Sequence, residues 1–126
     1  MAINPKTPGL HHVNLRCSNL DVSKTFYRDT IGFPIALEAD GLFAFPEGGV
    51  FIVFKKADEE TNFNPFTIGT DHLAIACETE EELNRFAKGL SDAGVENTGV
   101  KLDETLQKLY VAFKDPDRIQ WEFYMV

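Results

Sequence analysis

The sequence predicts an α+β protein in which two paired βαβββ modules form a curved mixed sheet around a central cavity, with the helices outside. The main observation is a repeat: the stretch GLHHVNLRC at residues 9–17 returns as GTDHLAIAC at residues 69–77. Glycine, histidine and cysteine fall at matching positions, and both stretches alternate apolar and polar residues as strands do. Similar helical and extended patterns then follow each stretch. The 126 residues are therefore predicted to form one domain built from a duplicated unit.

The first module is predicted at about residues 9–55 and opens with a strand at residues 10–17. The helix that follows is predicted to be capped by Asn19 or Asp21 and to end at Gly32. Three extended segments complete the module, near residues 35–39, 42–45 and 49–55.

The second module is predicted at about residues 69–126 and repeats this order, with its first strand at residues 71–77. Thr79 and Glu82 have the spacing of a capping box, and the helix that they start is predicted to end at Gly94. Its extended segments are predicted near residues 95–101, 109–114 and 119–125. The acidic, aperiodic residues 56–68 are predicted to link the two modules.

Charge and composition exclude several classes of function. Twelve Lys and Arg residues against 20 Asp and Glu give a net charge of −8, which disfavours binding to nucleic acid or to anionic membranes. No apolar run approaches the roughly 20 residues of a membrane helix, and the first residues lack the pattern of a secretory signal. A cytoplasmic location is expected, with Cys17 and Cys77 as buried thiols of the core.

Strand periodicity predicts a metal site. His12 and His72 lie on the polar side of their strands, away from the predicted helices. In the last strand Trp121 and Phe123 face the helix, which turns Glu122 to the same side as the histidines. If the two modules pair about a pseudo-twofold axis, these three side chains converge in a shared cavity. Two imidazoles and one carboxylate suit Fe(II), Mn(II), Ni(II) or Zn(II) and leave coordination positions open.

Other polar and apolar side chains are expected around this cavity. The residues predicted to contact substrate are Asn14, Arg16, Ile52 and Gln120. Tyr110 and Tyr124 are weaker candidates for proton donors, so the catalytic acid or base stays open. His11 has the opposite parity to His12 and is predicted not to bind the metal.

These motifs resemble those of the vicinal oxygen chelate superfamily, which includes glyoxalase I, fosfomycin-resistance proteins, extradiol dioxygenases and bleomycin-resistance proteins. The resemblance is carried by H-V-x-L at His12, D-H-L-A-I at His72 and FKDPDRIQWEFY near the end, and it extends over residues 9–124. It implies a divalent metal at His12, His72 and Glu122 and a small-molecule substrate with two adjacent oxygens. It further implies a reaction through a metal-stabilised oxyanion. A homodimer is expected, with the modules pairing either within a chain or between chains.

The resemblance leaves several activities open. Glyoxalase I takes a fourth ligand from the last strand of the first module. Here the repeat alignment, which pairs Pro46 with Pro116, sets Ile52 opposite Glu122. Extradiol dioxygenases have a further histidine, whereas none follows His72 here, and fosfomycin-resistance enzymes have threonine where this chain has Asn14. A metal-dependent lyase, isomerase, transferase or dioxygenase is therefore predicted. The alternative is a non-catalytic protein that binds a bleomycin-type antibiotic, with which the negative charge is consistent.

Overall fold

Two four-stranded mixed sheets organise the chain in the computed structural model, which describes residues 1–126. The first module contains β1 (His12–Cys17), α1 (Leu20–Thr25), a π-helix (Phe26–Ile31), β2 (Leu37–Ala39), β3 (Leu42–Glu47) and β4 (Val50–Lys56). The second contains β5 (His72–Cys77), α2 (Glu80–Asp92), β6 (Lys101–Asp103), β7 (Lys108–Lys114) and β8 (Gln120–Met125). The strand orders are β1-β4-β3-β2 and β5-β8-β7-β6, with the first pair of each sheet parallel. The predicted α+β fold with two βαβββ modules is confirmed.

The predicted caps start both helices. The side chain of Asn19 accepts a hydrogen bond from the Val22 amide (3.0 Å), and that of Thr79 accepts one from the Glu82 amide (3.2 Å). The first helix changes to π-helical geometry after α1 and ends at Gly32, whose φ of 96° is left-handed. None of these helices is long and apolar enough to cross a membrane.

The segment predicted as a strand at residues 95–101 is mostly irregular. Only an isolated bridge between Asn97 and Phe113 forms there, and the regular strand β6 begins at Lys101. The Asn97 side chain accepts a hydrogen bond from the Gly99 amide (2.8 Å), and Gly99 has a φ of 68°. This local turn interrupts the ladder, because the Gly99 amide and its left-handed backbone are no longer available to the sheet.

Both modules bury their helix-facing sides in one shared core. Its 15 buried residues include Leu15 and Phe54 from the first sheet and Leu83 and Trp121 from the second module. The two free cysteines, Cys17 and Cys77, also lie in this core. Because the inner sides of the two sheets meet here, the opposite side of each sheet, called the outer face below, is turned away from the other module.

Buried hydrogen bonds tie the modules together. Tyr27 lies in the π-helix that follows α1. Its hydroxyl donates to Asp115 Oδ2 (2.7 Å) and accepts from the Trp121 indole (2.8 Å). Asp115 Oδ1 accepts two further hydrogen bonds, from the Asp117 and Ile119 amides (2.9 Å each). Burial raises the pKa of the Asp115 carboxyl, and its hydrogen bonds oppose that shift. A single phenol therefore satisfies two buried polar groups of the second module.

Replacing this phenol tests how much the buried network stabilises the chain. Tyr27→Phe leaves the Asp115 oxygen and the Trp121 indole without their partner, so it is expected to lower the free energy of unfolding by about 1–3 kcal/mol. The control is Tyr110→Phe, because the Tyr110 hydroxyl makes no hydrogen bond within the chain, and a change within about 0.5 kcal/mol is expected there. Urea unfolding at one protein concentration measures both values. Equal losses in the two variants would contradict a role for the network.

Candidate metal centre

The outer face of the first module forms a cavity beside His12. Because β1 and β4 are parallel and in register, His12 lies opposite Phe51 and Asn14 lies opposite Val53. The cavity has a volume of about 550 Å³. Its lining residues all belong to the first module: His11, His12, Asn14, Ala36, Leu37, Leu42, Ala44, Phe51, Val53 and Lys55. Two histidines, His11 and His12, therefore stand at the edge of a mostly apolar space.

The outer face of the second module brings His72 and Glu122 together. His72 Nε2 lies 3.4 Å from Glu122 Oε1. Two donor atoms bound to one cation at bond lengths of about 2.0–2.2 Å stand about 3.0–3.4 Å apart, so this pair has the spacing of metal ligands. The imidazole and carboxylate also have the chemistry that a divalent transition metal requires. The predicted pair thus fits a metal centre.

Neighbouring side chains hold Glu122 in place. Its second oxygen accepts a hydrogen bond from the Gln120 amide group (3.1 Å), and the Gln120 oxygen accepts one from Lys114 Nζ (3.0 Å). The Glu122 side chain is only 13% exposed, whereas that of His72 is 39% exposed. Gln120 therefore orients the carboxylate and leaves the other oxygen directed to His72.

Each histidine is also held by the residue that precedes it. His12 Nδ1 lies 2.9 Å from His11 Nδ1, and His72 Nδ1 lies 2.7 Å from Asp71 Oδ1. Contacts at Nδ1 fix the imidazole and leave Nε2 as the free donor atom, as is typical of the groups that support metal-binding histidines. These supporting contacts of His11 and Asp71 with the following histidines were not predicted from the sequence. The available signal was their alignment in the repeat, because both can hydrogen-bond to an imidazole.

The three predicted ligands do not meet within one chain. No group of three His, Cys, Asp or Glu side chains could hold a metal ion. The cavity beside His12 has no lining residue from the second module. The shared core explains this, because it joins the inner sides of the sheets and turns the two outer faces apart. Of the two arrangements left open by the sequence, pairing of the modules within one chain does not bring the three predicted ligands together.

Ile52 does not line the cavity as predicted. It is 5% exposed and packs in the core, whereas its neighbours Phe51 and Val53 face the cavity. In the second module, Glu122 of β8 lies opposite Ala74 of β5. In the first module, the corresponding pair is Val53 of β4 opposite Asn14 of β1. Val53 is therefore the counterpart of Glu122, and the repeat alignment at Ile52 is wrong by one residue. An apolar side chain still occupies the position of a fourth ligand.

Asn14 and Arg16 occupy different surroundings on β1. Asn14 lines the cavity, two residues beyond His12. The Arg16 guanidinium donates to the Lys56 carbonyl (2.9 Å) and borders a separate, smaller pocket. Of the two, only Asn14 therefore stands beside the large cavity.

The tyrosine candidates lie side by side on the outer face of the second module. Tyr110 and Tyr124 are stacked, with ring centroids 5.9 Å apart. The Tyr124 hydroxyl donates to Asp103 Oδ2 (2.8 Å), and desolvation, followed by the Asp103 carboxylate, raises the pKa of Tyr124 to about 12. This phenol is protonated at neutral pH and can donate a hydrogen bond, but it is a weak acid.

The fold and these side chains define a two-module βαβββ protein with a His–Glu pair on one outer face and a histidine-edged cavity on the other. The chain belongs to the Glyoxalase/Bleomycin resistance protein/Dioxygenase superfamily, whose family model matches residues 9–123. The predicted family is thereby confirmed.

Similar proteins span nearly the same length. The uncharacterized protein YwkD of Bacillus subtilis is 26% identical over 91% of this chain and 94% of its own length. The metallothiol transferase FosB of Staphylococcus saprophyticus is 24% identical over 91% of this chain and 75% of its own. The crystal structure of a glyoxalase family protein from Enterococcus faecalis has a TM-score of 0.76 and 25% identity, covering 93% of this chain and 97% of that one.

Proposed function

We propose that the chain is a metal-dependent enzyme that acts on a small molecule with two adjacent oxygen atoms. The observation that carries this proposal is the His72–Glu122 pair, whose facing donor atoms lie 3.4 Å apart while Asp71 and Gln120 hold the other sides of the two groups. The similarity to the metallothiol transferase FosB supports the same class of chemistry.

The third ligand in this proposal is His12 of a second copy of the chain. The two outer faces cannot meet within one chain, but a twofold axis between two chains can set the first module of each against the second module of the other. The result is a homodimer with two identical centres. Each centre takes His12 from one protomer and His72 and Glu122 from its partner.

Exposed surface supports this dimer. A compact monomer of this mass exposes about 6,800 Å², whereas the chain exposes 8550 Å². The extended residues 1–10 contribute to the excess, as do apolar side chains of the first outer face, such as Leu37 (52% exposed) and Phe51 (41% exposed). Only the part of this excess of about 1,800 Å² that lies outside residues 1–10 is available to an interface, and its exposed apolar side chains are of the kind that a dimer covers.

The side chains around the proposed metal centre would hold its ligands and orient the substrate. A divalent cation held by His12, His72 and Glu122 would supply a Lewis acid to stabilise negative charge on a substrate oxygen. His11 and Asp71 hold the imidazoles, Gln120 holds Glu122, and the Asn14 amide is available to orient substrate within the cavity. Val53 keeps the first module from supplying a fourth ligand, so a position remains for substrate. This composition supports a three-ligand enzyme over a glyoxalase I with four protein ligands.

The binding alternative receives less support from the cavity. A site for a cationic antibiotic requires acidic side chains, but no Asp or Glu of the first module lines the large cavity, and the one carboxylate that the proposed dimer brings to it, that of Glu122, is a metal ligand. The negative charge of the chain is carried elsewhere on its surface. Antibiotic binding is therefore one outcome of the ligand panel described below.

Metal content and mass provide the first test. Protein purified without chelator or affinity metal is expected to bind about one divalent ion per chain, and to sediment as a dimer rather than as a 14.2 kDa monomer. Elemental analysis and analytical ultracentrifugation measure these properties. A metal-free protein that also fails to bind added Mn(II), Co(II) or Zn(II) would contradict the proposal.

A ligand panel separates an open centre from a purely structural one. Hydroxamates and catechols carry two adjacent oxygens and are expected to shift the absorption spectrum of the Co(II) form. An unchanged spectrum across the panel would contradict an enzyme with an open metal centre. If metal-free protein then bound a cationic antibiotic such as bleomycin tightly, the binding alternative would replace the proposal.

A further inference from the structure

Lys55 is an unpaired cation at one end of the His12 cavity. It lies on the same side of β4 as Phe51 and Val53, and it is half-buried. Its ammonium group takes part in none of the ion pairs or hydrogen bonds of the chain, which engage other lysines such as Lys24, Lys88 and Lys114. A half-buried ammonium beside apolar side chains loses hydration without gaining a partner, so an added anion stabilises it.

The distance between Lys55 and His12 defines the shape of the ligand. His12 stands opposite Phe51 in the sheet, and Lys55 is four residues further along β4. At about 3.3 Å per residue, the two backbone positions are about 13 Å apart. Between them, Val53 and Ala44 face each other in register and form an apolar floor. The cavity is thus elongated, with His12, the proposed metal ligand, at one end and a cation at the other.

The charges in the cavity select an anion, although the whole protein carries a net charge of −8. No acidic residue of the first module lines this cavity, Lys55 is its one permanent cation, and the Glu122 carboxylate that the proposed dimer brings to the His12 end is a metal ligand there. Arg16 is the register partner of Lys55 in the sheet, but its guanidinium donates to the Lys56 carbonyl and borders the separate, smaller pocket, so Lys55 alone supplies a cation to this cavity. A single ammonium group suits a singly charged carboxylate better than a phosphate, which is usually bound by several donors.

We infer that the ligand of this cavity is an elongated amphiphilic carboxylate whose carboxylate pairs with Lys55 while its two adjacent oxygens face the His12 end. The inference rests on the proposed function for the identity of that second group. It adds the substrate class: an acid in which an apolar chain of about six to eight carbon atoms separates the two polar ends.

Matched probes test the inference. Suberic acid monohydroxamate carries a hydroxamate and a carboxylate at its ends, and octanohydroxamic acid is its uncharged counterpart. Calorimetry with the Mn(II) form is expected to show roughly tenfold tighter binding of the charged probe. Lys55→Met should remove that preference by weakening the charged probe alone. Lys56→Met is the matched control, because this exposed neighbour loses the same charge outside the cavity and should retain the preference.

A metal-free experiment keeps the inference separate from the proposed function. In chelator-treated protein, octanoate is expected to displace the fluorescent dye 8-anilinonaphthalene-1-sulfonate at lower concentration than 1-octanol, and Lys55→Met should abolish the difference. Equal affinities in both experiments, with no effect of Lys55→Met, would overturn the inference and show that the protein itself neutralises Lys55. If only the hydroxamate experiment fails, the metal centre is wrong while the carboxylate site stands.

Discussion

Co-expression of the His12→Ala and His72→Ala variants is expected to restore metal binding that each variant lacks alone. A homodimer of either variant lacks one ligand in both centres, so its stoichiometric binding should be lost. In a heterodimer, the unaltered first module of one chain meets the unaltered second module of the other and forms one complete centre. Random pairing makes about half of the dimers heterodimers, so about a quarter of all centres should bind metal. Elemental analysis of the co-expressed protein measures this fraction.

The pairing of variants supplies its own control. His72→Ala and Glu122→Ala both alter the second module, so their heterodimer contains no complete centre and should bind no metal. His11→Ala should retain stoichiometric binding, because His11 supports His12 without providing a predicted ligand. Full metal content in His72→Ala alone would show that the centre is wrong. Absence of recovery in co-expressed His12→Ala and His72→Ala, with heterodimers present, would rule out the shared centre.

A glutamate at position 52 and one at position 53 are expected to have opposite consequences. Ile52 lies in the core, so Ile52→Glu buries an unpaired carboxyl group and should lower the free energy of unfolding by several kcal/mol. Val53 faces the cavity at the position that corresponds to Glu122, so Val53→Glu should fold normally and tighten metal binding by adding a fourth ligand. Urea unfolding and metal titration by calorimetry measure the two effects.

The comparison of these two variants distinguishes a register error from a wrong site. A stable Ile52→Glu variant with tighter metal binding would restore the original alignment. A stable Val53→Glu variant with unchanged metal affinity would show that the counterpart of Glu122 stands too far from the metal.

Sequence patterns predicted the modules well because each strand has one buried side. Alternation in residues 10–17 and 71–77 assigned His12 and His72 to outer faces, and the burial of Leu15, Cys17 and Cys77 agrees with that assignment. The helix caps at Asn19 and Thr79 could also be predicted, because each depends on a hydrogen bond between residues three apart in the sequence.

The error at Ile52 arose from the hairpins. Equating Pro46 with Pro116 assumed equal turns, but Glu47 pairs with Val50 across a two-residue turn, whereas Lys114 pairs with Gln120 across a longer loop. Pro46 belongs to β3 and Pro116 to that loop. Because strand side chains alternate, a shift of one residue moved the predicted side chain from the cavity to the core.

The arrangement of the modules could not be predicted from periodicity. Alternation of apolar and polar residues shows which side of a strand is buried. It does not show whether the two modules of a chain pack through the helix-facing sides of their sheets or through the opposite sides. The long-range contact of Tyr27 with Asp115 and Trp121 decides the arrangement, and nothing local in the sequence indicates that a phenol after α1 will reach β8. The supporting contacts of His11 and Asp71 escaped notice because a residue of opposite parity was assumed to point away.

The buried contacts between Tyr27 and the second module have a consequence for dilution. Since they hold the two modules of a chain together by their inner sides, a separated chain cannot refold its own halves into a complete centre without breaking its core. Under the proposed dimer, metal affinity and subunit association are thermodynamically linked, so each strengthens the other by mass action. Metal content per chain, and with it the proposed activity, should therefore fall as the protein is diluted below its dimer dissociation constant, and added metal should shift that fall to lower protein concentrations.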